Sequence, residues 1–341
     1  MTASTVRSIR YDAGRLELLD QRILPARENW LPIEDVEAAV SAIGDLVVRG
    51  APAIGLTAAY ASVLAARARG VDRTGWLEDL DRLASARPTA VNLQGAVERM
   101  RRLAPGAPRD AVANLEAAAI AMHAEDLASN AAMAALGAAR IEPGSSVLTH
   151  CNTGSLATGG TGTALGVIVR AWNEGRLDRV LACETRPWLQ GLRLTAWELA
   201  REGVPVEVLV EGAAAGLMQR EGIDWVIVGA DRVTANGDVA NKVGTLMLAA
   251  LARRFGARVM VVAPTTTLDP ATPTGDRIDI EERDGGELWR AAGLDRAPDG
   301  VITRNPVFDV TPADFIDCIV TERGVLEPPF DGRIEAVVGS A

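Results

Sequence analysis

The rhythm of the chain after Gly144 constrains the fold more than any other feature. Apolar runs rich in Val, Ile and Leu recur there, at residues 146–150, 179–183, 206–210, 225–228 and 258–262. Between them, residues 163–172, 192–201 and 242–255 read as helices. Short apolar runs of this kind suit strands covered on both faces. Strands alternating with helices build a parallel, doubly wound sheet. The expectation for this part of the chain is a Rossmann-like domain.

The earlier part has a different texture. Residues 1–30 read as short strands and turns, with Tyr11-Asp12-Ala13-Gly14 as a turn between two extended runs. From about Ile33 the chain becomes helical and alanine-rich. Residues 52–68 read as one helix, with Pro52 suited to its first turn. Residues 110–139 read as another, capped by Asp110 and ended by Glu142-Pro143-Gly144. The fold class expected is therefore α/β. An N-terminal, mostly helical domain with a small sheet takes residues 1–125, and a C-terminal Rossmann-like, parallel-sheet domain takes residues 126–341. A chain of 341 residues exceeds the size at which single cores stop growing, which agrees with two domains.

Charge and composition narrow the function. The net charge is −10 and no Lys/Arg run stands out, so nucleic acid is not an expected partner. No apolar stretch approaches membrane-spanning length, and the first residues lack the apolar run of a signal peptide. The 3 cysteines are widely spaced, in neither a disulfide framework nor a zinc pattern, and free thiols fit a reducing cytoplasm. With only 2 histidines, a histidine-rich metal site is not expected. An anionic substrate would need a local positive site to overcome the overall field.

Several polar segments fall at predicted strand ends, where open parallel sheets bind ligands. The segment from His150 to Thr163 is dense in Gly, Thr and Ser and precedes a helix. It reads either as a phosphate-holding loop or as a flexible connector. It matches neither a Walker loop nor a dinucleotide fingerprint. Cys151 at its start is either a thiol activated by helix N-termini and cations or a small core residue. His150 next to it points to the opposite face of a strand and is read as structural.

Asp231 follows the strand ending at Val228, and Asn236-Gly237 marks a tight turn after it. Asn241 and Lys242 are expected to open a helix. This carboxylate, amide and ammonium suit a phosphorylated, polyhydroxylated ligand. The alternative is a structural ion pair for Asp231 and a solvated Lys242. Gln190 and Gly191 precede another helix and present donors to sugar hydroxyls, while Glu184 and Arg186 are candidates to pair with each other. In the first domain, Arg49 and Arg87 each stand just before a helix start, and arginine forks suit phosphate oxygens. Either arginine standing alone would read as a surface residue.

Together these blocks resemble the methylthioribose-1-phosphate isomerases. The matching stretches are VRGAPAIG, ARPTAVNL, THCNTGSLAT with GTALGVI, ETRPWLQGLRLTAWEL, VGADRVTANGDVANKVGT, IEER, and NPVFDVTPADFI with TERGV. They cover nearly the whole chain in order. Wider kin of that family are ribose-1,5-bisphosphate isomerases, deoxyribose-phosphate isomerases and regulatory subunits of a translation-initiation exchange factor. The resemblance implies a cytoplasmic homodimer acting on a sugar phosphate in methionine salvage without cofactor or metal. It implies Cys151 and Asp231 as catalytic residues. It implies Arg49, Gly50, Ala51, Arg87, Gln190, Asn241 and Lys242 as substrate contacts. Thr161 and Leu246 depart from the family pattern, which often has tyrosine at both places, and this bears on which sugar phosphate is accepted.

Overall fold

In this computed structural model the described residues are 6–71, 74–87, 90–103 and 110–339. They form two compact units, one of residues 1–131 with 153–162, the other of residues 132–152 with 163–341.

The first unit opens with an antiparallel sheet of β1 (Ile9–Asp12), β2 (Arg15–Leu19) and β3 (Trp30–Ile33). Ala13 and Gly14 join β1 to β2 with φ of 46° and 82°, the two positive values of a tight hairpin turn. Five helices follow: α1 (Val36–Gly44), α2 (Ala51–Arg69), α3 (Gly75–Ser85), α4 (Val91–Arg102) and α5 (Ala111–Ala138). Asp35 caps α1 through a 2.8 Å bond from the Ala38 amide. Helix α2 is buried almost all round and forms the centre of the unit's core, as an apolar helix without a polar face must. The chain passes from the first unit to the second inside α5, returns to the first for residues 153–162 and then stays in the second.

The second unit carries β4 (Ser145–Thr149), α6 (Ala164–Asn173), β5 (Leu177–Cys183), α7 (Ala196–Arg201), β6 (Glu207–Leu209), α8 (Ala214–Glu221) and β7 (Trp225–Val228). It continues through β8 (Arg232–Thr234), β9 (Val239–Lys242), α9 (Thr245–Phe255), β10 (Arg258–Val262) and β11 (Leu268–Asp269). The last elements are α10 (Gly286–Arg290), β12 (Phe308–Thr311), β13 (Cys318–Thr321), β14 (Gly324–Leu326) and α11 (Arg333–Gly339). Seven strands form one sheet in the order β14-β13-β10-β7-β4-β5-β6, parallel except for β14 at the edge.

Alternate residues of these strands enter two separate cores. Leu148, Leu181, Val226, Val228, Val259 and Val261 join one; Val147, Val180, Trp225, Ile227, Met260 and Val262 join the other. Burial on both faces is what the uninterrupted apolar runs encode. The fold is the α/β class expected.

The structure departs from the sequence reading in several places, and β13 and β14 of the large sheet were not among the expected strands. A second sheet, in the order β11-β8-β9-β12, grows from the segment after β7. Asn241 and Lys242 end β9 rather than opening a helix, because Val239–Lys242 pairs with β12 over its whole length. Helix α9 starts only after Gly244, whose φ of 103° breaks the chain direction. The segment expected to be helical from residue 192 begins with a wider, π-helical turn, Gly191–Thr195, before α7.

Candidate active site

In the second unit's sheet, β5 and β6 lie on one side of β4, while β7, β10 and β13 lie on the other. The order reverses between β4 and β7, and the space beyond the C-terminal ends at such a reversal is where open α/β sheets bind ligands. Cys151 follows β4, Asp231 follows β7, and the loop holding Gln190 follows β5. Thr149 is in register with Ile227 on one side and Ala182 on the other, so these three loops leave the same edge.

Cys151 is 9% exposed and has a φ of 62°, in the left-handed region. That conformation costs a non-glycine residue about 1–2 kcal/mol. Two threonines hold it. The Cys151 amide donates to Thr185 Oγ1 at 2.9 Å, and Thr195 Oγ1 donates to the Cys151 carbonyl at 2.6 Å. Asn152 Nδ2 supports Thr195 Oγ1 at 3.1 Å and reaches the buried Glu198 at 2.7 Å.

The loop after β5 is strained in the same way, with φ of 65° at Thr185 and 56° at Leu189. For the β-branched Thr185 this is a genuine outlier, and such residues collect at functional sites. Gly191 then packs so closely that a Cβ would lie 1.6 Å from the Cys183 carbonyl oxygen. Only glycine fits there, and it delivers Gln190 onto the sheet edge. Gln190 is 7% exposed and its Oε1 has no hydrogen-bond partner among the described residues. A buried amide oxygen left in this state costs free energy until a ligand or water bonds it. Glu184 and Arg186 do not bond each other: the Arg186 amide donates to Glu211 at 2.6 Å and its guanidinium to the Leu288 carbonyl at 3.0 Å.

The Asp231 amide donates to the Ala240 carbonyl at 2.9 Å, which sets Asp231 beside the end of β9. Asn241 is 3% exposed and donates to Thr245 Oγ1 at 3.0 Å. Lys242 is 8% exposed, with its Nζ 4.8 Å from the centre of the Phe308 ring. The Asp309 carboxylate caps α9, accepting from the Gly244 amide at 2.7 Å and the Leu246 amide at 3.1 Å. Burial pushes the Asp309 carboxyl up, against the pull of these amides and of Lys242. A nearly buried ammonium is a strong anion anchor, because little water screens it.

In the first unit, Arg49, Gly50 and Ala51 lead directly into α2, with Pro52 in its first turn. Arg49 Nε donates to Gln21 Oε1 at 3.2 Å. Gly50 has a φ of 93°, and a Cβ there would lie 2.6 Å from the Ala157 backbone. Arg87 lies just before α4; its neighbours Pro88 and Thr89 fall outside the described residues. Gly55 brings the first turns of α2 and α4 together, since a Cβ on it would meet the Asn92 carbonyl at 3.0 Å.

The glycine-rich segment belongs to this unit from Thr153 to Gly162. Its amides at Ala157, Gly159, Gly160 and Gly162 are bonded to Gly154, Asp126, Thr158 and Gly160, respectively. Those four amides are therefore committed within the protein. Gln21 Nε2 donates to the Leu156 carbonyl at 2.7 Å and Ser8 Oγ to the Thr158 carbonyl at 3.1 Å, fixing the loop further.

Sequence reasoning passed over Thr185, Thr195 and Glu198, which hold the Cys151 turn. It set His150 aside as structural; the ring has no exposed surface, and Nε2 bonds the Val243 carbonyl at 2.8 Å while Nδ1 lies 3.3 Å from Thr185 Oγ1. Burial lowers the His150 pKa, and the bond to Val243 only partly offsets this. Among the described residues, no three His, Cys, Asp or Glu side chains gather as a metal site requires.

Comparison with known proteins identifies the family. The model of the Initiation factor 2 subunit family matches residues 47–328. The methylthioribose-1-phosphate isomerase of Thioalkalivibrio sulfidiphilus is 55% identical over 98% of this chain and 97% of that one. The crystal structure of 5-methylthioribose 1-phosphate isomerase from Pyrococcus horikoshii OT3 is 38% identical, superposes with a TM-score of 0.91, and shares 99% of this chain and 97% of its own. A second structure, titled translation initiation factor eIF-2B, subunit delta, from A. fulgidus, is 39% identical with a TM-score of 0.86 over 98% of this chain and 100% of that one. The chain belongs to the Initiation factor 2 subunit family and, within it, to the methylthioribose-1-phosphate isomerases.

Proposed function

We propose that this protein converts 5-methylthioribose 1-phosphate to 5-methylthioribulose 1-phosphate, an aldose–ketose isomerisation of methionine salvage. The observation that carries the reading is Cys151, held in a left-handed turn by two threonines at the strand reversal. The 55% identity over nearly the full chain supports it independently.

The anomeric carbon of this substrate bears the phosphate, so the ring cannot open through a free aldehyde. In the proposed route Asp231 gives a proton to the ring oxygen as the C1–O bond breaks. Hydrogen then moves from C2 to C1, and the C2 hydroxyl proton leaves to the Asp231 carboxylate as the ketone forms. No redox cofactor is needed, because C1 is reduced as C2 is oxidised. Two routes exist for the hydrogen: a proton relay through the Cys151 thiolate or a hydride shift beside it. Deuterium entering C1 from heavy water marks the relay.

Lys242, Asn241 and Gln190 are assigned as substrate contacts in the second unit, and Arg49, Gly50, Ala51 and Arg87 in the first. Lys242 and the arginines would offset phosphate charge as it redistributes in the transition state. A homodimer in the cytoplasm completes the proposal. Three buried free cysteines suit a reducing compartment, and no helix among the described residues is long and apolar enough to cross a membrane.

A panel of purified sugar phosphates followed by NMR tests the assignment. Turnover of 5-methylthioribose 1-phosphate in preference to 5-deoxyribose 1-phosphate and ribose 1,5-bisphosphate is the expected result. Preference for either of the others would reassign the substrate. Binding without turnover would favour the regulatory reading that the likeness to the initiation-factor subunit raises.

A further inference from the structure

Both backbone polar groups of Cys151 end on threonine hydroxyls, and one of those hydroxyls is itself tied to His150. The Val243 carbonyl can only accept, so the proton of His150 sits on Nε2, 2.8 Å away. Nδ1 then carries a lone pair facing Thr185 Oγ1 at 3.3 Å. The Thr185 hydroxyl accepts the Cys151 amide and has two acceptors within reach of its own proton, Nδ1 and the Cys183 carbonyl at 3.1 Å. A chain of bonds thus runs from Val243, next to Lys242, through His150 and Thr185 to Cys151. His150 thus reaches the Cys151 backbone through Thr185.

We propose that Thr185 and Thr195, with His150 behind Thr185, are positioning residues that set the aim of the Cys151 thiol. The inference rests on assigning Cys151 to the reaction. Left-handed backbone at Cys151 and at Thr185, the residue bonded to it, is strain that persists only where surroundings over-determine it. Rotating the Cys151 φ back into the common region would turn its amide and carbonyl away from the two threonine hydroxyls that hold them, and the side chain with them. A misplacement of about 1 Å costs a reaction on the order of 100-fold.

The test compares wild type, Thr185→Val, Thr185→Ser, Thr195→Val and Cys151→Ser on 5-methylthioribose 1-phosphate. Alongside turnover, mass spectrometry follows the alkylation rate of each cysteine by iodoacetamide. Thr185→Val, which keeps shape but neither donates nor accepts, should lower kcat about 10- to 100-fold with KM changed less than about threefold. Thr185→Ser should restore most of kcat. The Cys151 alkylation rate should shift several-fold in Thr185→Val, while Cys183 and Cys318, buried and held by burial up near about 12, stay unchanged as internal controls. Thr195→Val provides the same readouts should Thr185→Val fail to fold. Wild-type kcat and wild-type Cys151 alkylation in a folded valine variant, with Cys151→Ser inactive, would overturn the positioning role alone. Full activity of Cys151→Ser would remove Cys151 from the reaction and the role of the threonines with it.

Discussion

The Gly159 amide donates a 2.7 Å hydrogen bond to the carboxylate of Asp126, a half-buried residue of α5. Asn130 Nδ2 adds a bond at 2.9 Å, and His123 Nε2 meets the Gly159 carbonyl at 2.9 Å. Burial outweighs these bonds and raises the Asp126 carboxyl from 3.8 to about 6. The native state therefore holds this proton more tightly than the unfolded chain does. Its stabilising contribution is complete below about pH 4 and is lost as pH rises through about 6. The full span amounts to about 3 kcal/mol. Thermal melts of wild type and Asp126→Asn at a series of pH values should show the wild type losing ground steadily from pH 4 to pH 7. A difference independent of pH would mean that Asp126 titrates normally.

Gly50 makes a steric prediction. With its φ of 93° and the Ala157 backbone 2.6 Å from where a Cβ would stand, Gly50→Ala must displace either the entrance to α2 or the 155–158 turn. The left-handed backbone alone adds about 1–2 kcal/mol of strain. Melting temperature should fall and KM should rise, since Arg49 and Ala51 flank the substitution. Unchanged melting and kinetics would show that the turn yields freely.

Lys242 tests electrostatics. Lys242→Met keeps an unbranched aliphatic side chain and removes the charge that lies 4.8 Å from the centre of the Phe308 ring. Charge-assisted bonds contribute about 1.5–3 kcal/mol, so KM for the sugar phosphate should rise about 10- to 150-fold. An unaltered KM would take Lys242 out of phosphate recognition.

In the seven-stranded sheet β13 and β14 went unread, but β4, β5, β6, β7 and β10 were legible because strands covered on both faces appear as plain apolar runs. The four-stranded sheet was not. Its strands are two to four residues long, and Val239–Lys242 carries a buried Asn and Lys that pair with β12. An Asn-Lys pair before an alanine- and leucine-rich run reads as a helix start, and the Gly244 break is a single residue. Cys151, Gln190 and Asp231 could be proposed from position, since each follows a predicted strand. Their supports could not, because the bonds to Cys151 span 34 and 44 residues and that from His150 to Val243 spans 93. Nothing local in a sequence marks such pairings.

The central claim is that Cys151 and Asp231 carry the isomerisation. NMR of 5-methylthioribose 1-phosphate incubated with purified wild type, Cys151→Ser and Asp231→Asn, each checked for folding by circular dichroism, tests it most directly. The account predicts ketose from wild type and a rate at least about 100-fold lower from either variant, the scale of a lost acid–base group. Ketose formed at the wild-type rate by a folded variant would contradict the role of that residue, and no ketose from folded wild type would contradict the activity itself.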